Sequence, residues 1–203
     1  MANQTAFLRV CILISVLSTS PYAAASLIWN TAPDGTLLGA SGVEVSGSLF
    51  DVEFVDGTCG TVFDGCDDAN DFTFNTEAQA AEASQALLDA VLLDVAQGSF
   101  DSMPGLTNGC GNSEVCFSST PYLRTSSAVQ VSVAVNWSAV SSNPDSVDTA
   151  LLPLAFDTGT DANDVWARWT RQTSVPEPTT LALLGVGGAL VAASRRRRPL
   201  MGQ

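Results

Sequence analysis

Carboxylates crowd two short stretches of this chain. Asp64, Asp67, Asp68 and Asp71, with Asp56 just ahead of them, surround a segment bounded by Cys59 and Cys66. Asp157, Asp161 and Asp164 surround Asn163. Crowded carboxylates repel one another, and a hard cation relieves the repulsion by taking about six to eight oxygen ligands. Ca²⁺ is the cation that Asp64, Asp67, Asp68 and Asp71 would take, and no other cofactor is expected. The calcium-loop pattern D-x-[DN]-x-[DN]-G is not met, because Asp67-Asp68-Ala69-Asn70-Asp71 fails at its third position. The plain alternative is a solvated acidic loop. Paired carboxylates also serve glycoside hydrolysis, where two acids flank the bond at about 5–10 Å. With 21 Asp and Glu, chance pairs abound and no motif selects one.

Aromatic rings are the other candidate contacts. Trp29, Trp137, Trp166 and Trp169 would stack on sugar rings if exposed. Trp137 shares a face with a row of valines and reads as core. Trp166 and Trp169 fall on opposite faces of one strand, so at least one is buried; Trp166 is the candidate polysaccharide ligand-binding residue.

What is missing excludes more. The chain has no His and no Lys, and its eight cations are all Arg. Ser-His-Asp and Cys-His catalysis, His-ligated metals, Schiff-base chemistry and the P-loop lysine are therefore absent. A net charge of −13 argues against nucleic acid, whose phosphates need a cationic face. No catalytic residues are assigned, and the expectation is a non-enzymatic protein.

Both ends of the chain are apolar and differ from the middle. Arg9 precedes the apolar run Val10–Leu17, and Ala23-Ala24-Ala25 stand ahead of Ser26. This is the layout of a signal peptide over residues 1–25, cut after Ala25 by signal peptidase. Once Cys11 leaves with it, Cys59, Cys66, Cys110 and Cys116 remain. An even count in an exported domain suggests disulfides. Three pairings are possible; Cys59–Cys66 with Cys110–Cys116 is the most economical, since each pair flanks a Gly-containing loop. A four-thiolate zinc site is the rival, but neither spacing matches C-x2-C.

The other end reads Val175-Pro176-Glu177-Pro178-Thr179-Thr180, then the apolar run Leu181–Ala193, then Arg195, Arg196, Arg197 and Arg198. The prolines fix φ and exclude regular structure, giving an extended segment that a protease can enter. A helix over 179–194 would be about 24 Å long, short for a bilayer. The arginines stay cytoplasmic by the positive-inside rule, which puts the rest of the chain outside.

Pro176-Glu177-Pro178, the apolar run and the arginine cluster, in that order, resemble the PEP-CTERM sorting signal of exported bacterial proteins. The resemblance implies processing by an exosortase, a membrane cysteine transpeptidase. It would cut near the Pro-Glu-Pro and deliver the domain to the cell surface or extracellular matrix of a Gram-negative bacterium, next to its exopolysaccharide. The inner membrane holds the chain only transiently in this reading. An ordinary, permanently anchored single-pass protein is the alternative, and a secreted polysaccharide hydrolase is another. Leu49–Tyr122 also resembles other PEP-CTERM ectodomains in texture, through Leu49–Cys59, Asp71–Phe74, Gln85–Asp89 and Leu106–Cys110. That likeness brings no activity with it.

The elements that must position these residues lie in 26–174, with 175–203 forming the sorting segment. The expectation is a mainly β, β-sandwich-like domain with one amphipathic helix over about 76–97. Ser126–Val140 alternates: Val129, Val131, Val133, Val135 and Trp137 on one face, Gln130, Ser132, Asn136 and Ser138 on the other. Gly42–Val55 is a second strand candidate whose apolar parity switches near Gly47, marking a bulge or tight turn. Leu27–Asn30, Leu151–Phe156 and Asp164–Gln172 are shorter strands. For the helix, Thr76 and Gln79 suggest a capping box. Leu87, Leu88, Val91, Leu92 and Val95 form a stripe, and Gly98 is the expected stop.

Overall fold

A computed structural model describes residues 26–173; the signal peptide and the 179–194 helix lie outside the described residues. Seven strands form one sheet: β1 (Ile28–Thr31), β2 (Leu37–Val45), β3 (Ser48–Val55), β6 (Val115–Arg124), β7 (Ala128–Trp137), β8 (Ser146–Pro153) and β9 (Asp164–Arg171). Their order across it is β1-β2-β3-β9-β6-β7-β8. All neighbours are antiparallel except β6 and β9. A two-stranded hairpin, β4 (Asp94–Val95) with β5 (Gly98–Ser99), stands apart from it.

The expected mainly β domain is present, but not as two stacked sheets. One sheet is covered on both faces by other elements. On one face lies α2 (Glu77–Ala86), continued by a π-helical turn, Leu87–Val91. On the other lies α1 (Cys59–Val62) and the segment that follows it. Two cores result. Phe50, Phe54, Phe74, Leu87, Leu92, Phe100 and Trp169 fill the first; Phe63, Phe72, Val129, Val131, Val133 and Trp166 fill the second.

This double cover explains what alternation in β7 could not reveal. The valine row faces the second core as expected. The polar row does not face water: Ser132 and Asn136 are fully buried, and α2 packs across β6 and β7 on that side. Ala80, Ala83 and Ser84 of the helix are buried there too, and so are Ser118, Thr120 and Ala134 of the strands. Small side chains on both partners let helix and sheet approach closely. Asn136 Nδ2 donates to Phe100 O at 2.9 Å, which meets part of the cost of burying the amide.

The parity switch near Gly47 is a tight turn. Ser46 (φ 50°) and Gly47 (φ 74°) are both left-handed, as a two-residue type I′ connection requires. β2 and β3 are thus two strands of one hairpin rather than one bulged strand.

The helix is shorter than the sequence suggests. It starts as expected, with Thr76 Oγ1 accepting from Gln79 N at 3.3 Å. The Gln79 side chain reaches back to Asn75 N rather than to Thr76 N, so the reciprocal box is shifted by one residue. Helical structure ends at Val91, giving 15 residues with the π-turn, not at Gln97. Leu92 N donates to Leu87 O at 2.8 Å, and Leu92 then leaves the helical region. Asp94 holds Ser102 through its backbone N–H and hydroxyl, folding 94–102 back as a hairpin. Gly98 therefore serves a strand of that hairpin, not a helix stop.

Between the two layers the chain changes sides. Phe72 belongs to the second core and Phe74 to the first. The crossing lies where β6 and β9 part, since their parallel pairing covers only Phe117–Ser119 against Asp164–Trp166. Thr73 Oγ1 donates to Trp169 O beyond that point. Pro121 in the central strand β6 falls past the last β9 pair, so its missing N–H forfeits no bond to β9.

Candidate functional site

Cys59–Cys66 and Cys110–Cys116 are both closed as disulfides, the local pairing among the three possible. The first pins the loop that covers the second core, where Cys59, Phe63 and Cys66 are buried. The second ties the start of β6 to the loop before it, and Cys116 is fully buried.

Two acidic residues of the first loop, Asp68 and Asp71, are occupied locally. Asp71 Oδ2 accepts from Asp67 N at 2.9 Å and from Asp68 N at 3.0 Å. Asp68 Oδ1 accepts from Asn70 N at 2.8 Å and from Asn70 Nδ2. These bonds form a capping box around the 3₁₀ turn Ala69–Asp71. Asp64 has a left-handed φ of 44° and lines a cleft together with Asp71. The carboxylates of Asp68 and Asp71 thus act as turn formers. Among the described residues, no three His, Cys, Asp or Glu are placed to hold a metal ion.

The second acidic stretch forms the opposite end of the sheet. Asp157 accepts from Gly159 N at 3.0 Å, and Asp161 accepts from Asn163 N at 3.0 Å. Thr158, fully buried, donates to Asp56 Oδ1 at 3.1 Å and receives Gly57 N at 3.1 Å. Asn112 Nδ2 donates to Asn163 Oδ1, and Ala162 O accepts from Gly111 N and Asn112 N. Three loops are stitched together here, beside Asp164 at the start of β9. Burial, aided by the charge of Asp161, pushes the Asp164 carboxyl up to about 6. Burial, then the charges of Asp145 and Asp94, likewise raises Asp101. Asp94 itself is lowered by its bonds from the Ser102 hydroxyl and N–H.

Trp166 is not an available sugar platform. Its ring is fully buried, edge-on to Phe63 at 5.4 Å, and its Nε1 donates to Gly57 O at 2.8 Å. Trp169, on the other face of β9, is buried as well, with Nε1 donating to Thr120 Oγ1 at 3.1 Å. At least one of the two rings was expected to be buried; both are, because both faces of the sheet are covered.

Two clefts flank the crossing segment. One, of about 180 Å³, lies between Asp64, Asp71, Thr73, Pro121 and Arg168. Arg168 is paired there with Glu53. The other, of about 190 Å³, lies between the β2–β3 turn, Gln79, Glu82 and Arg171. Arg171 stacks over Phe50 at 5.3 Å, and Ser46 Oγ donates to Glu82. No local pattern signals these pairings, which join residues far apart in the chain.

The chain leaves the sheet beside this second cleft. Gln172 is fastened twice to β3: its N–H donates to Leu49 O at 2.9 Å and its Nε2 to Asp51 Oδ1 at 2.6 Å. The expected sorting residues Pro176, Glu177, Pro178 and Arg195–Arg198 follow, outside the described residues. Among the described residues, no helix is long and apolar enough to cross a membrane.

Residues 174–198 match the PEP-CTERM protein-sorting motif. No curated protein and no solved structure matches the chain. The chain carries that sorting motif, which signals export and sorting to the cell surface in Gram-negative bacteria and implies an exosortase as processing partner.

Proposed function

We propose that this carrier of a PEP-CTERM motif is an exported protein that an exosortase cuts near Pro176-Glu177-Pro178, leaving residues from about 26 at the cell surface or in the exopolysaccharide matrix as a non-enzymatic structural or binding domain. The observation that carries this reading is the handover between domain and motif. Strand β9 ends at Arg171, Gln172 is fastened to β3, and the motif begins at 174. A folded unit thus passes directly into the sorting signal. Two disulfides suit an oxidising compartment outside the cytoplasm. The non-enzymatic part is supported by the acids themselves, since Asp68, Asp71, Asp157 and Asp161 accept local hydrogen bonds and Asp56 accepts one from Thr158.

Replacing Pro176, Glu177 and Pro178 together by alanine tests the sorting step. Uncut protein should then accumulate in the membrane fraction. Unaltered processing of that variant would count against recognition of these residues.

One observation favours a hydrolase instead. The Asp164 carboxyl, near 6, is in the range of a general acid and lies beside Asp161. Release of reducing sugar from the producing strain's polysaccharide, lost on Asp164→Asn, would establish that reading.

A further inference from the structure

The exit of the chain fixes which end of the domain meets the processing machinery. β9 runs towards the β2–β3 turn, with Arg171 opposite Phe50 and Gln172 bound to Leu49. β1 runs antiparallel to β9 through β2 and β3, so the chain enters β1 at the same end of the sheet. The first described residue, Ser26, lies against Gly42 of β2, on the turn side of the β1–β2 pairing. Both tethers therefore belong to one end.

The tether at that end is short. Pro176 lies four residues beyond Gln172, and an extended chain of that length reaches at most about 14 Å. Leu181, where the apolar run starts, lies nine residues beyond, or at most about 32 Å. An enzyme that cuts near the Pro-Glu-Pro must come within this reach of Gln172. The protein surface there is the Ser46–Gly47 turn, Glu82 and Arg171, around the cleft of about 190 Å³.

The three arginines of residues 26–173, Arg124, Arg168 and Arg171, all lie in the second halves of β6 and β9, which run in parallel towards this end. Asp56, Glu114, Asp161 and Asp164 lie at the other end, where β3 stops and β6 and β9 start. The arginine end also carries Glu44, Asp51 and Glu82, and Arg124 bonds Cys66 O beside Asp67 and Asp68, so the reach of the tether, not charge, sets the orientation.

We propose that the β2–β3 turn, Glu82 and Arg171 form the surface that docks against the membrane-embedded enzyme cutting the sorting motif, with the end of the sheet that carries Asp161 and Asp164 held away from the bilayer. This rests on the processing reading above and adds an orientation and a contact surface to it.

The test uses the full chain in the producing strain, with pulse-labelled protein followed to its cut form. Glu82→Arg and Arg171→Glu should each slow cutting by about fivefold or more, as charge reversal in a contact surface does. Glu114→Arg, at the other end, should leave the rate unchanged. Each variant is checked for a native melting curve. A flexible Gly/Ser insert of about 20 residues between Thr173 and Ser174, with a mean span of about 25 Å, removes the constraint. It should bring both slow variants up to the rate of the parent carrying the same insert. Parental cutting rates in Glu82→Arg and Arg171→Glu would overturn the docking surface, and so would slowing that persists with the insert. If the unmutated chain is never cut, the processing reading itself fails, an outcome plainly different from either of these.

Discussion

Asp164→Asn isolates the electrostatic strain at the acidic end of the sheet. The Asp164 carboxyl is raised from 3.8 to about 6 by burial and by Asp161. In the folded state it therefore holds its proton over a pH range in which the unfolded chain has lost it. Folded protein binds more protons than unfolded between about 4 and 6, so stability falls as pH rises through that window. The shift of about two units corresponds to at most about 3 kcal/mol at neutral pH. The group is only half-buried, and solvent screening reduces this to about 1 kcal/mol. Asn has the same shape and carries no charge. Asp164→Asn should therefore stabilise the full chain by about 1 kcal/mol at pH 7.5, or roughly 3 °C in Tm for a domain of this size. At pH 4 the Asp is protonated and the gain should vanish. Urea or thermal unfolding of both proteins at the two pH values measures this. A variant less stable than its parent at pH 7.5, or a gain independent of pH, would refute the reasoning.

Further outcomes follow from the packing. Cys59→Ser with Cys66→Ser should cost about 2.5 kcal/mol by the chain-entropy relation for a loop of separation 7, read as a lower urea midpoint. Trp166→Ala should cost about 3–5 kcal/mol, because it empties the second core and leaves Gly57 O without its indole donor; a loss below about 1 kcal/mol would mean the ring is not held as described. Gly39→Ala should prevent stable folding or lower Tm sharply, since a Cβ there would lie 2.1 Å from Val52 O; near-parental melting would contradict the β2–β3 register. Millimolar Ca²⁺ against EDTA should leave the melting curve unchanged, because Asp68 and Asp71 already serve backbone donors; a clear rise with Ca²⁺ would show that the loop rearranges around the ion.

Elements with strong local signals were legible in the sequence. The alternation of β7, the helix start at Thr76 and the parity switch at Gly47 all reflect interactions within a few residues, and the structure has a strand, a capped helix and a turn there. β6 was invisible. Its Ser118-Ser119-Thr120-Pro121 run has neither alternation nor apolar weight, and only its position between β9 and β7 makes it a strand. The helix end was misplaced for a similar reason. The leucine stripe continues past Val91, but the Asp94–Ser102 contacts, eight residues apart, turn the chain first. Polar residues on β7 read as solvent-facing because a sequence does not record that a helix of small residues lies over them. Trp166 failed as a ligand platform on the same ground: its burial depends on Phe63 and Phe72, brought over by a disulfide-pinned loop from another part of the chain. The sorting motif needed no tertiary context, being a linear pattern matched over 174–198.

The intact mass of the native product, taken from the cell surface without reduction, tests the account most directly. It should correspond to a chain starting at Ser26, ending near Pro176-Glu177-Pro178, and lacking the four thiol hydrogens of Cys59, Cys66, Cys110 and Cys116. A mass that keeps the residues beyond Leu181, or a product found in the cytosol with its thiols free, would contradict it.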